Sequence, residues 1–221
     1  GIDVVFNYGL FSFNTPHFIL RFALGETDYQ LGVTDYSRFA REYAFSGRNV
    51  WQQTLNLDDA EKTKLIQLLQ ENYRPENRVY RYNFFYDNCS TRPRDKIEES
   101  LSGKISYPAE PQDGSRTYRD IIHQYCQGHP WSRFGIDLCI GSEADRPITQ
   151  RQMMFAPFYL KDAFEQACIQ TDSVARPLVS DSREIIETHA DPRKESWTPT
   201  PWQCTLFLFI LTAGATLYSI R

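Results

Sequence analysis

The stretch VYRYNFFYDNCSTRPRD, residues 79–95, decides how this chain is read. Its first half, Val79 to Tyr86, is an aromatic run with strand propensity. Its second half, from Asp87-Asn88 through Cys89, Ser90 and Thr91, predicts a helix from about Arg92 to Leu101 that stops near Gly103. Ser90 or Thr91 can cap that helix. Pro93 falls in its first turn, where a missing N–H costs little. Cys89 is thus expected where a strand hands over to a helix. A thiol at a helix start gains from unpaired N–H groups and the positive end of the dipole. Arg92 and Arg94 add positive charge nearby, and Asp95, one turn in, can hold an arginine or a backbone group. Thiolate is the nucleophilic form, so the expectation is an activated nucleophile. The plain alternative is a small buried residue, as most cysteines are.

Upstream, Ile2 to Phe13 reads as a hairpin-like pair of short strands around Gly9. Phe18 to Leu24 reads as a short helix ended by Gly25, and Tyr29 to Val33 as a strand. Ser37 to Phe45 reads as a helix with Ser37 as a possible cap, and Val50 to Leu57 as a strand. The strongest helix signal begins at Asp58, with Glu61 three residues on as a capping box. Leu65, Leu68, Leu69 and Tyr73 line one face of it before Pro75. Downstream, Thr117 to Gln127 reads as a helix and Gln150 to Ala167 as one or two more. Ser173 to Glu187 is left as a hairpin or a solvated tail. Strands, a helix, a strand and then helices argue for an α+β domain with a mixed or antiparallel sheet.

Composition narrows the function classes. Hydrophobic residues are 41% and charged residues 24%, enough apolar content for a packed core. The 13 Tyr and 15 Phe suit a Tyr-studded, strand-rich core or a surface that handles apolar substrates. Net charge is −4 with no basic block, so nucleic acid is not an expected partner. The chain opens at Gly1 without Met and stops at Arg221 just after an apolar run, and is read as a piece of a longer protein. Cys204 to Ile220 carries no charge and reads as a transmembrane helix. Trp197, Trp202 and Tyr218 flank it as interfacial aromatics. Residues 1–188 are expected to form an extracytoplasmic domain and 189–203, with Pro199 and Pro201, a linker. Arg193, Lys194 and Arg221 leave the orientation undecided.

A thiol nucleophile needs a base within reach. His17, His123, His129 and His189 are the candidates, and none has a convincing setting. His123 and His129 bracket Cys126, with Cys139 further on, but the spacing matches no common zinc module, so neither metal nor cofactor is expected. In an oxidising compartment two of Cys126, Cys139 and Cys168 could bridge, Cys126 with Cys139 as the preferred pair.

Several segments resemble a known family. They are Asn7-Tyr8-Gly9 with Phe11 and Phe13, Phe22 to Tyr29 with Gly25, and Tyr82-Asn83-Phe84 leading into Asp87 through Asp95. Gly135-Ile136-Asp137-Leu138 to Asp145 and Met154-Phe155-Ala156-Pro157 are also similar. Over roughly the first 160 residues the chain resembles the periplasmic domain of Lnb-type lipoprotein N-acyltransferases. That resemblance implies a papain-like, permuted NlpC-type fold at the bacterial inner membrane, with the catalytic domain in the periplasm. It implies Cys89 as nucleophile, with Asn88, Arg92 and Asp95 shaping the site and Asn7 or Tyr8 orienting the base or helping the oxyanion. The base itself would be a histidine in a Gly-His segment just upstream of Gly1. The implied partners are a phospholipid acyl donor, a diacylglyceryl lipoprotein acceptor and the membrane. Backbone N–H groups at the start of the Cys89 helix would stabilise the oxyanion. Two other readings use the same residues: a cell-wall cysteine peptidase or amidase, and a non-catalytic membrane-anchored binding domain.

Overall fold

The structure, a computed structural model, describes residues 3–12, 14, 16–23, 25–108, 116–171, 175–188 and 198–220. Ile2, Phe13, Leu24, Ser173, His189, Arg193, Lys194, Trp197 and Arg221, invoked above, lie outside them.

In chain order the elements are β1 (Val4–Leu10), α1 (Phe18–Ala23), β2 (Asp28–Asp35), α2 (Tyr36–Phe45), β3 (Val50–Leu55), α3 (Asp59–Tyr73), β4 (Val79–Arg81) and α4 (Thr91–Ser100). There follow β5 (Lys104–Ser106), α5 (Tyr118–Tyr125), α6 (Pro130–Cys139), a short 3-10 turn (Ser142–Asp145), α7 (Gln150–Met153) and α8 (Pro157–Gln166). Strands β6 (Cys168–Gln170), β7 (Ala175–Pro177) and β8 (Val179–Ile186) precede the last helix, α9 (Pro201–Ser219). The class is α+β. Among the described residues the sheets are small and their pairings antiparallel: β1-β2-β4, β3-β8 and β5-β6-β7.

The chain divides into two compact units, residues 1–114 with 148–190, and residues 115–147 with 191–221. Among the described residues of the first unit, two apolar clusters stand out. In one, α3, α4 and α8 close over the β5-β6-β7 sheet, with Leu57, Leu101, Phe164, Ala167, Ile169 and Leu178 buried. The other is built of phenols: Tyr8, Tyr29, Tyr80 and Tyr82 pack around Leu31 on the β1-β2-β4 sheet. The alternation Tyr8/Phe6, Tyr29/Leu31 and Tyr80/Tyr82 puts one face of each strand inward, as a period of two requires.

Helix α3 forms where the Asp58 capping box predicts it: Glu61 N–H donates to Asp58 Oδ1 at 2.8 Å and Asp58 N–H to Glu61 Oε2 at 3.0 Å. Glu61 also ties the unit together. It is 1% exposed. Its carboxylate accepts from Ser102 N at 3.0 Å and Ser102 Oγ at 2.8 Å, and from the Arg176 guanidinium. Burial alone would raise this carboxyl; the bonds from Ser102, Arg176 and Asp58 outweigh it and bring the pKa down to about 2.

Several local expectations are corrected. Residues 4–10 form a single strand with a register shift between Asn7 and Leu10, not a hairpin at Gly9, because β2 pairs along its whole length. Asp35, not Ser37, is the α2 N-cap, and its side chain makes no cap hydrogen bond. The aromatic run 79–86 keeps strand pairing only through Arg81. Asn83 then bridges Asp87, and the Asn83 side-chain oxygen accepts from Phe85 and Tyr86 N–H at 3.1 Å, which folds the run into a turn. The undecided stretch near Glu187 is β7 and β8, which pair with β6 and β3. All five cysteines are free, so the expected Cys126–Cys139 bridge is absent.

In the second unit α5 starts from a Thr117/Asp120 capping box and α6 from Pro130 in its first turn. Arg119 holds Asp137 at 2.6 Å, Asp145 at 2.5 Å and the Gly141 carbonyl at 2.9 Å, which fixes α5, α6 and the 3-10 turn together. Trp131 Nε1 donates to the Pro199 carbonyl at 2.8 Å, next to the start of α9. Helix α9 begins at Pro201, ahead of Cys204, with Thr200 and Gln203 as its capping box. It is long and apolar enough to cross a membrane, and none of its apolar window is buried. Its 19 residues span roughly 28 Å at 1.5 Å each, close to the hydrocarbon thickness of a bilayer.

Candidate active site

Cys89 sits one residue before Ser90, the N-cap of α4. What fixes it is Asn88, which is 3% exposed. The Asn88 side-chain oxygen accepts from Ser90 N–H at 2.7 Å and Thr91 N–H at 2.9 Å. Its amide nitrogen donates to the Phe84 carbonyl at 2.8 Å and the Phe155 carbonyl at 3.0 Å. The Asn88 N–H in turn donates to Thr91 Oγ1 at 2.8 Å. The capping side chain is therefore Asn88, and Ser90 makes no side-chain cap bond. An asparagine offers two donors and an oxygen with two lone pairs, and all are engaged here. Asn88 thus positions the turn and has no donor left for a substrate.

The helix-start amides expected to hold an oxyanion are likewise occupied. Ser90 and Thr91 N–H bond Asn88 Oδ1, Arg92 N–H bonds the Asn88 carbonyl at 3.1 Å, Arg94 N–H bonds the Ser90 carbonyl at 3.3 Å, and Pro93 has none. The two arginines are also engaged. Arg92 grips Asp87 through two bonds of 2.6 and 2.8 Å and lies over the Tyr80 ring at 3.7 Å. Arg94 is buried, with Asp95 at 2.8 Å and the Arg151 carbonyl at 3.1 Å. Asp95 holds an arginine, as expected of it, but it holds Arg94 and Arg151 (2.9 Å), and no hydrogen bond joins it to Cys89.

Around the sulfur the structure gathers phenols instead. A thiolate at Cys89 raises the pKa of Tyr29, Tyr80 and Tyr82, in each case after burial, which is the larger cause. Those three phenols stay protonated near neutrality and remain O–H donors. Tyr80 donates to the Tyr8 carbonyl. Tyr8, pushed up to about 12 by burial against the pull of Arg92, donates to Asn72 Oδ1 at 2.9 Å. Gly9 brings β1 to the site: a Cβ there would lie 3.9 Å from Cys89 Cβ and 3.3 Å from Asn7 Oδ1, which already accepts from Gly9 N–H at 2.8 Å. Asn7, Tyr8, Asn88, Cys89 and Arg92 therefore converge, and Asp95 points into a separate ion network.

Cys89 as a residue is exposed, while protein crowds its sulfur on the inner side. That burial raises the thiol above its ordinary value; its own N–H and the Ser90 hydroxyl stabilise the thiolate but do not offset it. The expected depression is thus reversed, because the helix-start amides and the arginines are engaged elsewhere. No described histidine is hydrogen-bonded to Cys89. His123, in the second unit, binds Asp137 through Nε2 at 2.8 and 3.0 Å, and His129 is the N-cap of α6. Among the described residues no group of three His, Cys, Asp or Glu side chains is placed to hold a metal ion.

The sequence reading missed Tyr29, Tyr80 and Tyr82. The Tyr-x-Tyr alternation at 80 and 82, immediately ahead of Cys89, was the signal that could have found the last two.

No curated protein and no solved structure matches the chain. A family described as the Lnb N-terminal periplasmic domain matches residues 2–125, which include Cys89, Asn7, Tyr8, Asn88, Arg92 and the phenols of Tyr29, Tyr80 and Tyr82. The similar stretches noted at Gly135 to Asp145 and Met154 to Pro157 fall beyond that match. With more than half of its length matched, this chain belongs to the Lnb N-terminal periplasmic domain family.

Proposed function

We propose that this chain carries a cysteine-dependent acyltransferase of the papain-like, permuted NlpC-type superfamily, anchored in the bacterial inner membrane with its catalytic domain in the periplasm. Ionised Cys89 attacks an ester carbonyl of a phospholipid. The C–S bond forms, the C–O bond to glycerol breaks, and the departing alkoxide takes a proton. The free amine of a diacylglyceryl lipoprotein then attacks the thioester. A C–N bond forms, the C–S bond breaks, the amine proton goes to a base, and the thiolate returns. A histidine on the segment preceding β1 is the proposed base.

The observation that carries this reading is an exposed cysteine on a turn held by Asn88, beside the strand of Gly9 and the sheet that buries Tyr29, Tyr80 and Tyr82. In the proposed reaction the donors for the oxyanion are the phenols of Tyr29 and Tyr82 and the Cys89 N–H, in place of the occupied helix-start amides. Family membership and the apolar α9 support a site of action beside lipid. The test is complementation of a strain lacking the full-length protein with Cys89→Ala, followed by mass spectrometry of lipoprotein N-termini. Normal N-acylation with alanine at this position refutes the proposal.

The raised thiol favours one other reading, a non-catalytic membrane-anchored binding domain. Intact-mass analysis of the full chain after exposure to phospholipid separates the two, since only the enzyme accumulates an acyl adduct on Cys89.

A further inference from the structure

We propose that an acyl chain carried on Cys89 lies along an aromatic shelf formed by Phe11, Phe18 and Phe22, an inference that rests on the thioester reading above. Five rings form a closed circuit. Phe11 stacks on Tyr29 at 4.7 Å, Tyr29 on Tyr82 at 4.0 Å, Tyr82 on Phe22 at 5.8 Å, Phe22 on Phe18 at 6.2 Å, and Phe18 on Phe11 at 5.2 Å. The inner members, Tyr29 and Tyr82, are phenols that sense the Cys89 thiolate. At the outer members the circuit opens to solvent: Phe11 is 39% and Phe22 36% exposed. Strand β1, which leads into Phe11, passes Cys89 at Gly9, where an added Cβ would lie 3.9 Å from Cys89 Cβ, so the rings extend from beside the cysteine's strand to the surface.

The local structure explains why the rings line up. Phe18 and Phe22 are four residues apart on α1, so they share one face of that helix. Phe11 follows β1 directly, where the register shift after Asn7 re-aims the strand end.

The chemistry selects the occupant. Phe11, Phe18 and Phe22 carry no hydrogen-bonding group, so the shelf suits methylenes and offers a peptide backbone no partner. The same chain carries α9, which is long and apolar enough to hold the domain at a bilayer, where acyl chains are the abundant apolar ligand. An exposed ring is ordinary by itself. A stacked ring circuit reached from the strand that passes Cys89, on a chain with a membrane-length apolar helix, selects an acyl chain as its occupant.

The test uses the full-length protein, with the segment that precedes β1, in nanodiscs with p-nitrophenyl acetate, butyrate, octanoate and dodecanoate. Cys89 thiolate attacks each ester carbonyl, a C–S bond forms, the C–O bond breaks and p-nitrophenolate leaves. Intact mass reports the adduct, and Cys89→Ala gives the background. In the unsubstituted protein the rate constant is expected to rise about twofold per added methylene, roughly half the gain of full burial. In Phe11→Ser/Phe22→Ser the dodecanoate-to-acetate rate ratio is expected to fall at least about tenfold. If no ester labels Cys89 above background, the acyltransferase reading falls and the shelf with it. If Cys89 is labelled but the ratio survives in the double variant, the shelf alone is wrong. A surviving ratio combined with uniformly slower transfer from vesicle phospholipid means the rings dock a bilayer surface, which also overturns the proposal. Should the double variant not fold, Phe22→Trp keeps a ring in place. A brominated dodecanoyl group on Cys89 should quench that tryptophan beyond any quenching of the unsubstituted protein, and equal quenching refutes the shelf.

Discussion

Replacing Asn88 with alanine should remove the fixed position of Cys89 and a large part of the stability of the first unit. Four hydrogen bonds disappear together: to the Phe84 and Phe155 carbonyls and from the Ser90 and Thr91 amides. Ser90 and Thr91 are 4% and 3% exposed, so water cannot readily replace what the amides lose. An orphaned buried group costs about 1–3 kcal/mol, and loss of a helix cap about 1 kcal/mol. The carbonyls keep a second lone pair and the turn can relax, so the sum comes down to about 3–5 kcal/mol. For a chain of this size that lowers the melting temperature by roughly 10 °C. Asn88→Asp keeps the acceptor but turns a carboxylate onto two carbonyls. The folded-state pKa of that aspartate rises above its unfolded value of about 3.9. Its deficit is therefore full at pH 7 and shrinks as pH falls toward about 4. Unfolding followed by fluorescence, with iodoacetamide labelling of Cys89 in the same samples, measures both effects. A loss under about 1 kcal/mol with unchanged labelling of Cys89 would falsify the positioning role argued for Asn88.

Other expectations follow from the same geometry. Because burial raises the Cys89 thiol, its alkylation rate should reach half-maximum at a higher pH than that of an ordinary cysteine, and Ser90→Ala should slow labelling by removing a donor to the thiolate; a midpoint at or below that of a free cysteine peptide contradicts this. Glu61→Gln should cost about 3 kcal/mol at pH 7, because the folded pKa of about 2 lies below the unfolded value of 4.5. That contribution is whole above pH 4.5 and is lost as pH falls toward 2, so urea midpoints of variant and parent should converge in acid. Arg92→Lys should cost about 1–2 kcal/mol in thermal unfolding, since lysine cannot keep both bonds to Asp87 and the stack on Tyr80; an unchanged melting temperature refutes that.

Legibility in the sequence followed the range of the interactions. Helix α3 was readable because its start is a four-residue affair: Asp58 and Glu61 satisfy each other's backbone with no outside help. Helix α5 starts from an equally local box, Thr117 with Asp120, while α4, with Cys89 ahead of it, was readable from Pro93 in its first turn and Gly103 beyond its end. The capping residue of α4 was misjudged because Asn88 acts from two places before the N-cap and is held by Phe155, 67 residues away. Nothing local announces such a partner. The run 79–86 was over-read as a strand because strand propensity does not distinguish a ladder from an aromatic turn, and here Asn83 decides for the turn. Sheets β5-β6-β7 and β3-β8 were missed or left open because their paired residues lie 62 or more apart in sequence or their strands run only three residues. The state of the thiol failed for a related reason. Charge near in sequence was counted as charge near in space, yet both arginines turn to carboxylates.

The raised thiol is consistent with a cysteine exposed in a periplasmic domain. Oxidation and disulfide exchange follow the thiolate, not the thiol. Burial that keeps the Cys89 thiol more protonated than an ordinary cysteine therefore protects a sulfur open to solvent in an oxidising compartment. In the proposed acyl transfer, the thiolate is then generated only when substrate and base are both in place. The phenol ring serves that second demand. Tyr29, Tyr80 and Tyr82 stay protonated because burial, and after it the thiolate, disfavours their own ionisation, so in the proposed reaction their donors persist through the step in which negative charge moves from sulfur to carbonyl oxygen. Replacing Tyr82 by phenylalanine should separate the two demands: adduct formation on Cys89 from an ester slows, while simple alkylation by iodoacetamide, which builds no oxyanion, keeps its rate within about twofold. Equal slowing of both reactions would mean that Tyr82 only packs the site.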